Sequence, residues 1–253
     1  MRIACFIFGS PGSGKTYITK YINKLLGIDV IDTFNMSIDE RILNIKEYQR
    51  KITNKIKYSQ SNNTEELSEL SSKIYYDMRR FYQNKILNEQ INDLKKFIKN
   101  PNCLVTIEAT LIKENDIYQC ELKGTYLDIL KAAGFKVVFL YLYNDLEIIK
   151  TRIMKRNQEA INAVRSNIKQ NIHLVPYKNI LKSRDLVLDT IKYLLCKKKD
   201  NDIIILYNNK LAFYYNSKKN VYKNNIINKQ TKNDDKNKFI QNIFILKSKI
   251  DNS

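Results

Sequence analysis

The chain has 253 residues, 43% hydrophobic and 28% charged, which suits one α/β domain with a substantial core and a small appendage. No apolar run reaches the length of a membrane span, and four scattered cysteines (Cys5, Cys103, Cys120, Cys196) form neither a metal-ligand pairing nor a disulfide framework. The formal charge of +18 combines a net +8 beyond residue 196 with +10 before it, and no basic-aromatic recognition motif accompanies it, so nucleic acid is weakly supported as a partner.

In chain order, an apolar strand over residues 3–8 runs directly into Gly9-Ser10-Pro11-Gly12-Ser13-Gly14-Lys15-Thr16, a complete phosphate-binding loop, and a helix over 16–26 follows. The glycines let backbone amides close around a β-phosphate at the helix amino end. Lys15 is placed to reach the β- and γ-phosphates, and the Thr16 hydroxyl to ligate Mg²⁺. The strand's immediate start leaves no room for a signal peptide, so a cytoplasmic location is expected. A second strand over 27–32 is expected to end in Asp32. Helices follow over 38–57 and from Thr64 to about Lys99, with a polar break at 59–63. A third strand over 103–107 ends in Glu108, a helix over 126–133 stops at Gly134, and a fourth strand covers 136–143. Asn144-Asp145 starts a helix through Arg156, and further helix is expected over 159–172 and 180–196. A fifth strand over 202–207 is followed by a hairpin-like segment, 211–215. The Lys/Asn-rich residues 216–253 read as a mobile basic tail with a short docking helix over 239–250.

Nearly all-apolar strands alternating with helices predict an α/β fold, with about five mainly parallel strands and helices on both faces. Ligands then bind beyond the carboxyl ends of the strands, where the loop, Asp32, Glu108 and Asn144-Asp145 would converge. The domain spans 1–215, with a helical substrate-side insertion at about 35–100 and a lid at about 157–172. Neither an Asn-Lys-x-Asp nor an Asp-x-x-Gly string occurs, which excludes a regulatory GTPase, and the length argues against a motor ATPase. A kinase needs the loop, a carboxylate near the acceptor hydroxyl, and arginines over the transferred phosphate. Asp32 supplies the expected general base, Glu108 a carboxylate for a Mg²⁺-bound water or substrate, and Thr110 a hydroxyl contact. Arg156 and the lid residue Arg165 are the expected phosphate-neutralising arginines, with Arg152 as the alternative. His173 receives no role.

These pieces resemble the zeta toxin family of phosphate-loop kinases: the loop itself, Asp32-Thr33-Phe34, Ile107-Glu108-Ala109-Thr110, Arg156 with Arg165, and Ile205-Leu206-Tyr207-Asn208. The resemblance implies Lys15 on the phosphates, Thr16 on magnesium and Asp32 as base. It also implies Glu89 and Thr110 on the substrate, Arg156 and Arg165 on the γ-phosphate, and a UDP-activated amino sugar as acceptor. Ala109 stands where the family has glycine, and the interval from Arg156 to Arg165 is short. The expected activity is transfer of the γ-phosphate of ATP, with GTP not excluded, to a hydroxyl of an anionic small molecule. A nucleoside, nucleotide or polynucleotide kinase, and a catalytically weak nucleotide-dependent binding protein, stand as alternatives.

Overall fold

The computed structural model describes residues 2–23, 32–109, 126–168, 171–183, 202–207, 210–216 and 221–224. Strand β1 (Arg2–Gly9) leads through the loop into helix α1 (Lys15–Thr19). Strand β2 (Asp32–Ser37) precedes helices α2 (Ile38–Leu43), α3 (Lys46–Lys57) and α4 (Thr64–Phe97). Strand β3 (Cys103–Ala109), helix α5 (Tyr126–Ala132), strand β4 (Lys136–Tyr143) and helix α6 (Leu146–Arg165) follow. Strands β5 (Asp202–Tyr207), β6 (Lys210–Asn216) and β7 (Val221–Asn224) complete one sheet of order β2-β3-β1-β4-β5-β6-β7. The first five strands in that order are parallel, and β6 and β7 add antiparallel pairs.

Period-two alternation along β1 divides the core into two layers. Ile3, Cys5 and Ile7 join Leu104, Val138, Leu140 and Leu142 under Ile18 and Ile22. Ala4, Phe6 and Phe8 face the other way, against Val105, Phe139 and Tyr141, and are covered by Leu87, Ile91 and Leu94 of α4 with Leu127 and Leu130 of α5. Because both faces are covered, β1 and β4 are apolar at nearly every position.

A third cluster lies beside the sheet. Ile42 of α2, Tyr48, Ile52 and Ile56 of α3, Leu67, Tyr75 and Met78 of α4, and Ile161 and Val164 of α6 close around Ile172 and Leu174. Helix α4 therefore belongs to both bodies: its first half packs into the helical cluster and its second half onto the sheet. Its 34 residues extend about 50 Å at 1.5 Å per residue. Asn63 caps it, its Oδ1 accepting from the amides of Glu65 and Glu66 at 2.9 and 3.3 Å.

Four expectations change. Strand β2 occupies Asp32–Ser37 rather than 27–32, paired from Asp32↔Cys103 to Ser37↔Glu108. Polar residues at this sheet edge obscure a two-residue period in which Phe34 stacks on Phe97 (5.0 Å) and Met36 is buried. The helix expected over 38–57 breaks at Asn44-Ile45 into α2 and α3. Helix α6 runs unbroken through Arg156 to Arg165, so residues 157–165 continue that helix, and 171–176 carry no regular secondary structure. Strand β7 falls within the expected tail. Gly134 does end a helical turn, at φ +76°. The remainder of helix 180–196 and the docking helix at 239–250 lie outside the described residues. No helix among the described residues is long and apolar enough to cross a membrane.

The segment 171–176 is held by side chains. The buried Asn157 of α6 donates to the Val175 carbonyl (2.9 Å) and accepts from its amide (3.2 Å). Tyr48 donates to the Ile172 carbonyl at 3.0 Å. Asn157→Ala would orphan two buried backbone groups. The expected loss is about 2–6 kcal/mol, at ~1–3 kcal/mol per orphaned group, read as a lower urea midpoint at unchanged slope.

Candidate active site

The parallel strands deliver their carboxyl ends to one cleft of about 1140 Å³, above the ~300–1,000 Å³ usual for a single-ligand pocket. Its floor is the phosphate loop. Gly12 (φ +77°) and Gly14 (φ +96°) take left-handed conformations, and the Ser13 amide closes a turn on the Ser10 carbonyl (3.1 Å). Asn144, at the end of β4, donates to the Ser13 carbonyl at 2.7 Å and fixes the loop from below. Helix α6 supports it from the side: a Cβ on Gly12 would meet Ile153 Cγ1 at 2.9 Å.

Lys15 Nζ donates to the Gly9 and Ser10 carbonyls at 2.8 and 3.2 Å, curled over the loop that a polyphosphate would enter. Burial pushes its pKa down to about 8, with Arg156 acting in the same sense and Asp39 and Glu108 opposing. Glu108, on the strand beside β1, accepts from Thr19 Oγ1 (2.8 Å) and Thr16 Oγ1 (3.5 Å). A hydroxyl and a carboxylate beside the loop form a donor set that suits Mg²⁺, which keeps several waters and takes one or two protein ligands with substrate phosphates. No cluster of three His, Cys, Asp or Glu side chains suited to a metal occurs among the described residues, so the fit depends on those phosphates.

The structure does not bring Asp32 to this cleft. Asp32 pairs with Cys103, which pairs with Arg2, so it lies at the amino ends of the strands. Seven residues separate that level from Gly9, about 23 Å at ~3.3 Å per residue. There it accepts a hydrogen bond from Asn100 (3.2 Å).

Asp39 enters the cleft instead. Strand β2 stops at Ser37, whose hydroxyl accepts from the Glu40 amide (3.3 Å) and caps α2, putting Asp39 in the first turn. Burial pushes the Asp39 carboxyl upward, but His173, the Tyr75 hydrogen bond, Arg79 and Lys15 outweigh it, and its pKa lies below the usual carboxylate value. His173 contributes to this only when protonated. Ser37-Ile38-Asp39-Glu40 carries a capping-box pattern, the sequence signal from which Asp39 could have been found.

Among the arginines, Arg156 opens onto the cleft, within the electrostatic reach of Asp39 and Lys15, and Arg152 Nη1 lies 3.4 Å from the Gly12 carbonyl. Arg165 does not join them. Its guanidinium donates to Asn62 Oδ1 (2.9 Å) and the Ser61 carbonyl (2.8 Å), tying α6 to the α3–α4 connection. Glu89 lies outside the cleft, 3.7 Å from Arg41, which also pairs with Asp93 at 2.8 Å. Thr110 lies outside the described residues. The far wall holds residues without an expected role: Tyr75 and Arg79 of α4, and His173 on the 171–176 segment, its ring stacked on Tyr75 at 4.9 Å.

No protein-family model and no curated protein matches the sequence. Solved structures do. A chain from the PezAT chromosomal toxin–antitoxin system of Streptococcus pneumoniae aligns over 100% of this chain and 87% of its own, at 14% identity and a TM-score of 0.54. The deoxyadenosine kinase of M. mycoides, solved with dATP, aligns over 81% of this chain and 91% of its own, at 14% identity and a TM-score of 0.42. The chain shares the fold of that PezAT chain. At this identity the likeness is one of fold.

Two outcomes follow from the geometry. Gly12→Ala combines a strained φ with a clash against Ile153, so both thermal stability and nucleotide affinity should fall, by scanning calorimetry and titration calorimetry respectively. Burial lowers the His173 pKa to about 4, against ~6.5 in an unfolded chain. Below pH 6.5 the unfolded chain takes up a proton that the folded site refuses, so this group removes stability as pH falls from 6.5 toward 4. Urea unfolding at pH 7.5, 6 and 5 should show a shallower acid loss in His173→Phe.

Proposed function

We propose that this protein is an ATP-dependent phosphotransferase that moves the γ-phosphoryl group to a hydroxyl of an anionic acceptor, with a nucleotide sugar the first acceptor class to test. The observation that carries the reading is the meeting of Lys15, Asp39 and Arg156, from three separate elements, at one glycine-rich loop. The structural likeness supports the kinase fold, and the acceptor class rests on the cleft and on the sequence resemblance.

The loop amides and Lys15 hold the β- and γ-phosphates in this reading. Lys15 exchanges the Gly9 and Ser10 carbonyls for phosphate oxygens, and the added negative charge returns its pKa toward the ordinary lysine range. Thr16 and Glu108 are the residues that would hold Mg²⁺ beside the loop. When bound, the ion neutralises charge on the phosphate oxygens. Arg156 and Arg152 approach from α6 to balance charge on the transferred group. Asp39, ionised at neutral pH, accepts the proton of the acceptor hydroxyl as its oxygen bonds to the γ-phosphorus and the bond to the β-phosphate oxygen breaks. Positioning and charge balance supply most of the rate, as in other phosphoryl transfers.

Beyond Asp39 the cleft is lined by Arg79, Tyr76, Ser72 and Asn179. A cation, a half-exposed aromatic ring and short polar side chains suit an acceptor carrying phosphate and a flat or sugar ring. Arg165 and Glu89 act in this reading through the scaffold, and Asp32 stands apart from the chemistry.

Labelled ATP with magnesium and a panel of nucleotide sugars, nucleosides, nucleotides and oligonucleotides tests the proposal by formation of a labelled product. Asp39→Asn should lower transfer at least 100-fold, from the ~10²–10⁴ typical of general-base loss, with MgATP affinity retained in calorimetry. Asp32→Asn should leave turnover within about twofold, since Asp32 lies at the opposite ends of the strands. Loss of transfer in Asp32→Asn with retention in Asp39→Asn would overturn the assignment. Lys15→Ala should abolish both binding and transfer.

A further inference from the structure

Behind the phosphate loop, away from the cleft, two buried side chains carry polar atoms that the fold leaves unmatched. Asn144 follows β4, is 1% exposed, and donates its Nδ2 to the Ser13 carbonyl at 2.7 Å. Its Oδ1 makes no hydrogen bond among the described residues, and neither does the Oγ of the fully buried Ser13. That Oγ stands where a Cβ on Gly9 would lie, so loop and sheet meet there in close contact. A side chain serving packing alone would be apolar, because a buried amide with an unmatched oxygen costs stability. Stability alone does not account for Asn144.

We infer that Asn144 is a positioning residue for the phosphate donor: by holding the Ser13 carbonyl it turns the Gly14 amide toward the cleft. The inference rests on the reading of the loop as the polyphosphate seat. The carbonyl of Ser13 and the N–H of Gly14 belong to one planar, trans peptide and so point in opposite directions. Asn144 draws the carbonyl to the buried side. The N–H is thereby directed at the face where Gly12, Gly14 and Lys15 line the cleft. That amide makes no hydrogen bond among the described residues. The ladder of α1 begins with the Ile18 amide on the Gly14 carbonyl, so the helix ties neither group of this peptide.

The glycine at 14 is what makes such a hold necessary. Its left-handed backbone (φ +96°) carries no Cβ to oppose rotation, so the peptide entering it can turn over at modest cost. Turned over, it would present a carbonyl oxygen to the phosphates and replace an attraction by a repulsion. The bond from Asn144 selects the amide-inward orientation before the anion arrives. A donor already aimed at a charged oxygen contributes more to affinity than one that must first reorient. Lys15 does not supply this, because its Nζ reaches the Gly9 and Ser10 carbonyls at the other end of the loop.

The sequence makes this peptide directly observable. The chain has 6 glycines, and Ser13-Gly14 is its one Ser-Gly pair. Cell-free synthesis with ¹³C at serine carbonyls and ¹⁵N at glycine amides therefore gives the full-length protein a single NMR correlation that reports both groups. In the wild type, MgATP should move the Gly14 proton downfield as it bonds to phosphate. Asn144→Leu keeps the side-chain volume and removes the donor, so without nucleotide its Ser13 carbonyl carbon should move upfield. A Gly14 proton unmoved by bound MgATP in the wild type overturns the inference, and this arm decides even where a variant does not fold.

Calorimetric titration with MgATP supplies the affinities. Asn144→Ala and Asn144→Leu should each bind about 10-fold or more weakly, from the loss of one charge-assisted hydrogen bond, whereas a packing role would spare the leucine variant. Asn144→Asp returns a donor only when its carboxyl is protonated. Its affinity relative to Asn144→Ala should therefore be high at about pH 5.5 and fall toward about pH 8.5, burial having raised the introduced carboxyl into that range. The charged groups of the cleft, Lys15, Asp39, Glu108, Arg156 and His173, are common to both variants, so the ratio removes them. Affinity retained in Asn144→Leu, or Asn144→Asp no better than Asn144→Ala at any pH, overturns the role of Asn144 alone. Absence of MgATP binding by the wild type overturns the reading of the loop itself, and the inference with it.

Discussion

The seat of the phosphate loop constrains everything else in this molecule. Its backbone must turn through two left-handed residues, and the turn is held by contacts from three directions. Asn144 bonds the Ser13 carbonyl from below, Ile149 and Ile153 of α6 press on Gly12, and the side chain of Lys15 ties Gly9 and Ser10 together. The first two contacts come from distant parts of the chain and the third from the loop itself, so the loop takes its shape only when β4 and α6 are assembled beside β1. The sheet order provides this, with β1 placed between β3 and β4. The carboxylate of Glu108 and the amide of Asn144 then arrive on opposite sides of the same turn.

The two longest helices extend that arrangement away from the sheet. Helix α4 has one half in the sheet-covering core and the other in the helical cluster, and α6 similarly passes from the loop to Ile161 and Val164. The acceptor side of the cleft is thereby built on elements already anchored by the nucleotide side. Hydrogen bonds reinforce the join: Arg165 to the Ser61-Asn62 connection, Thr64 to Gln158 (2.8 Å), and the Tyr177 amide to Glu65 (2.8 Å). Asn157 is an interior residue of a continuous helix and is bonded to Val175.

How far the sequence disclosed this depends on the kind of signal. The loop was legible because its glycines, lysine and threonine have fixed spacing and a strand before them. Glu108 was legible because β3 is apolar up to that residue. Strand β2 was displaced by about five residues, since the apolar run before Asp32 outweighed the weaker Phe34-Met36 alternation of an edge strand, and the base assignment moved with it. The helical cleft wall was opaque for another reason. Tyr75 and Arg79, one turn apart on α4, meet His173 from far along the chain, and that approach depends on how α4 crosses the cleft and on side-chain ties such as Asn157 to Val175. No local pattern encodes those ties. Arg165, expected on phosphate as a lid residue, lies nine residues beyond Arg156 on one helix and reaches the α3–α4 connection.

The split of α4 between two cores has a consequence for how such a protein can diversify. The surfaces that would grip a phosphate donor belong to the loop, β3 and α6. Most of those that would choose the recipient are spaced one turn apart along α4, at Ser72, Tyr76 and Arg79. Exchanging side chains along that single face would retune recipient preference while leaving the energy-supplying half untouched. A lineage with this architecture can wander widely in chemistry and still keep one engine.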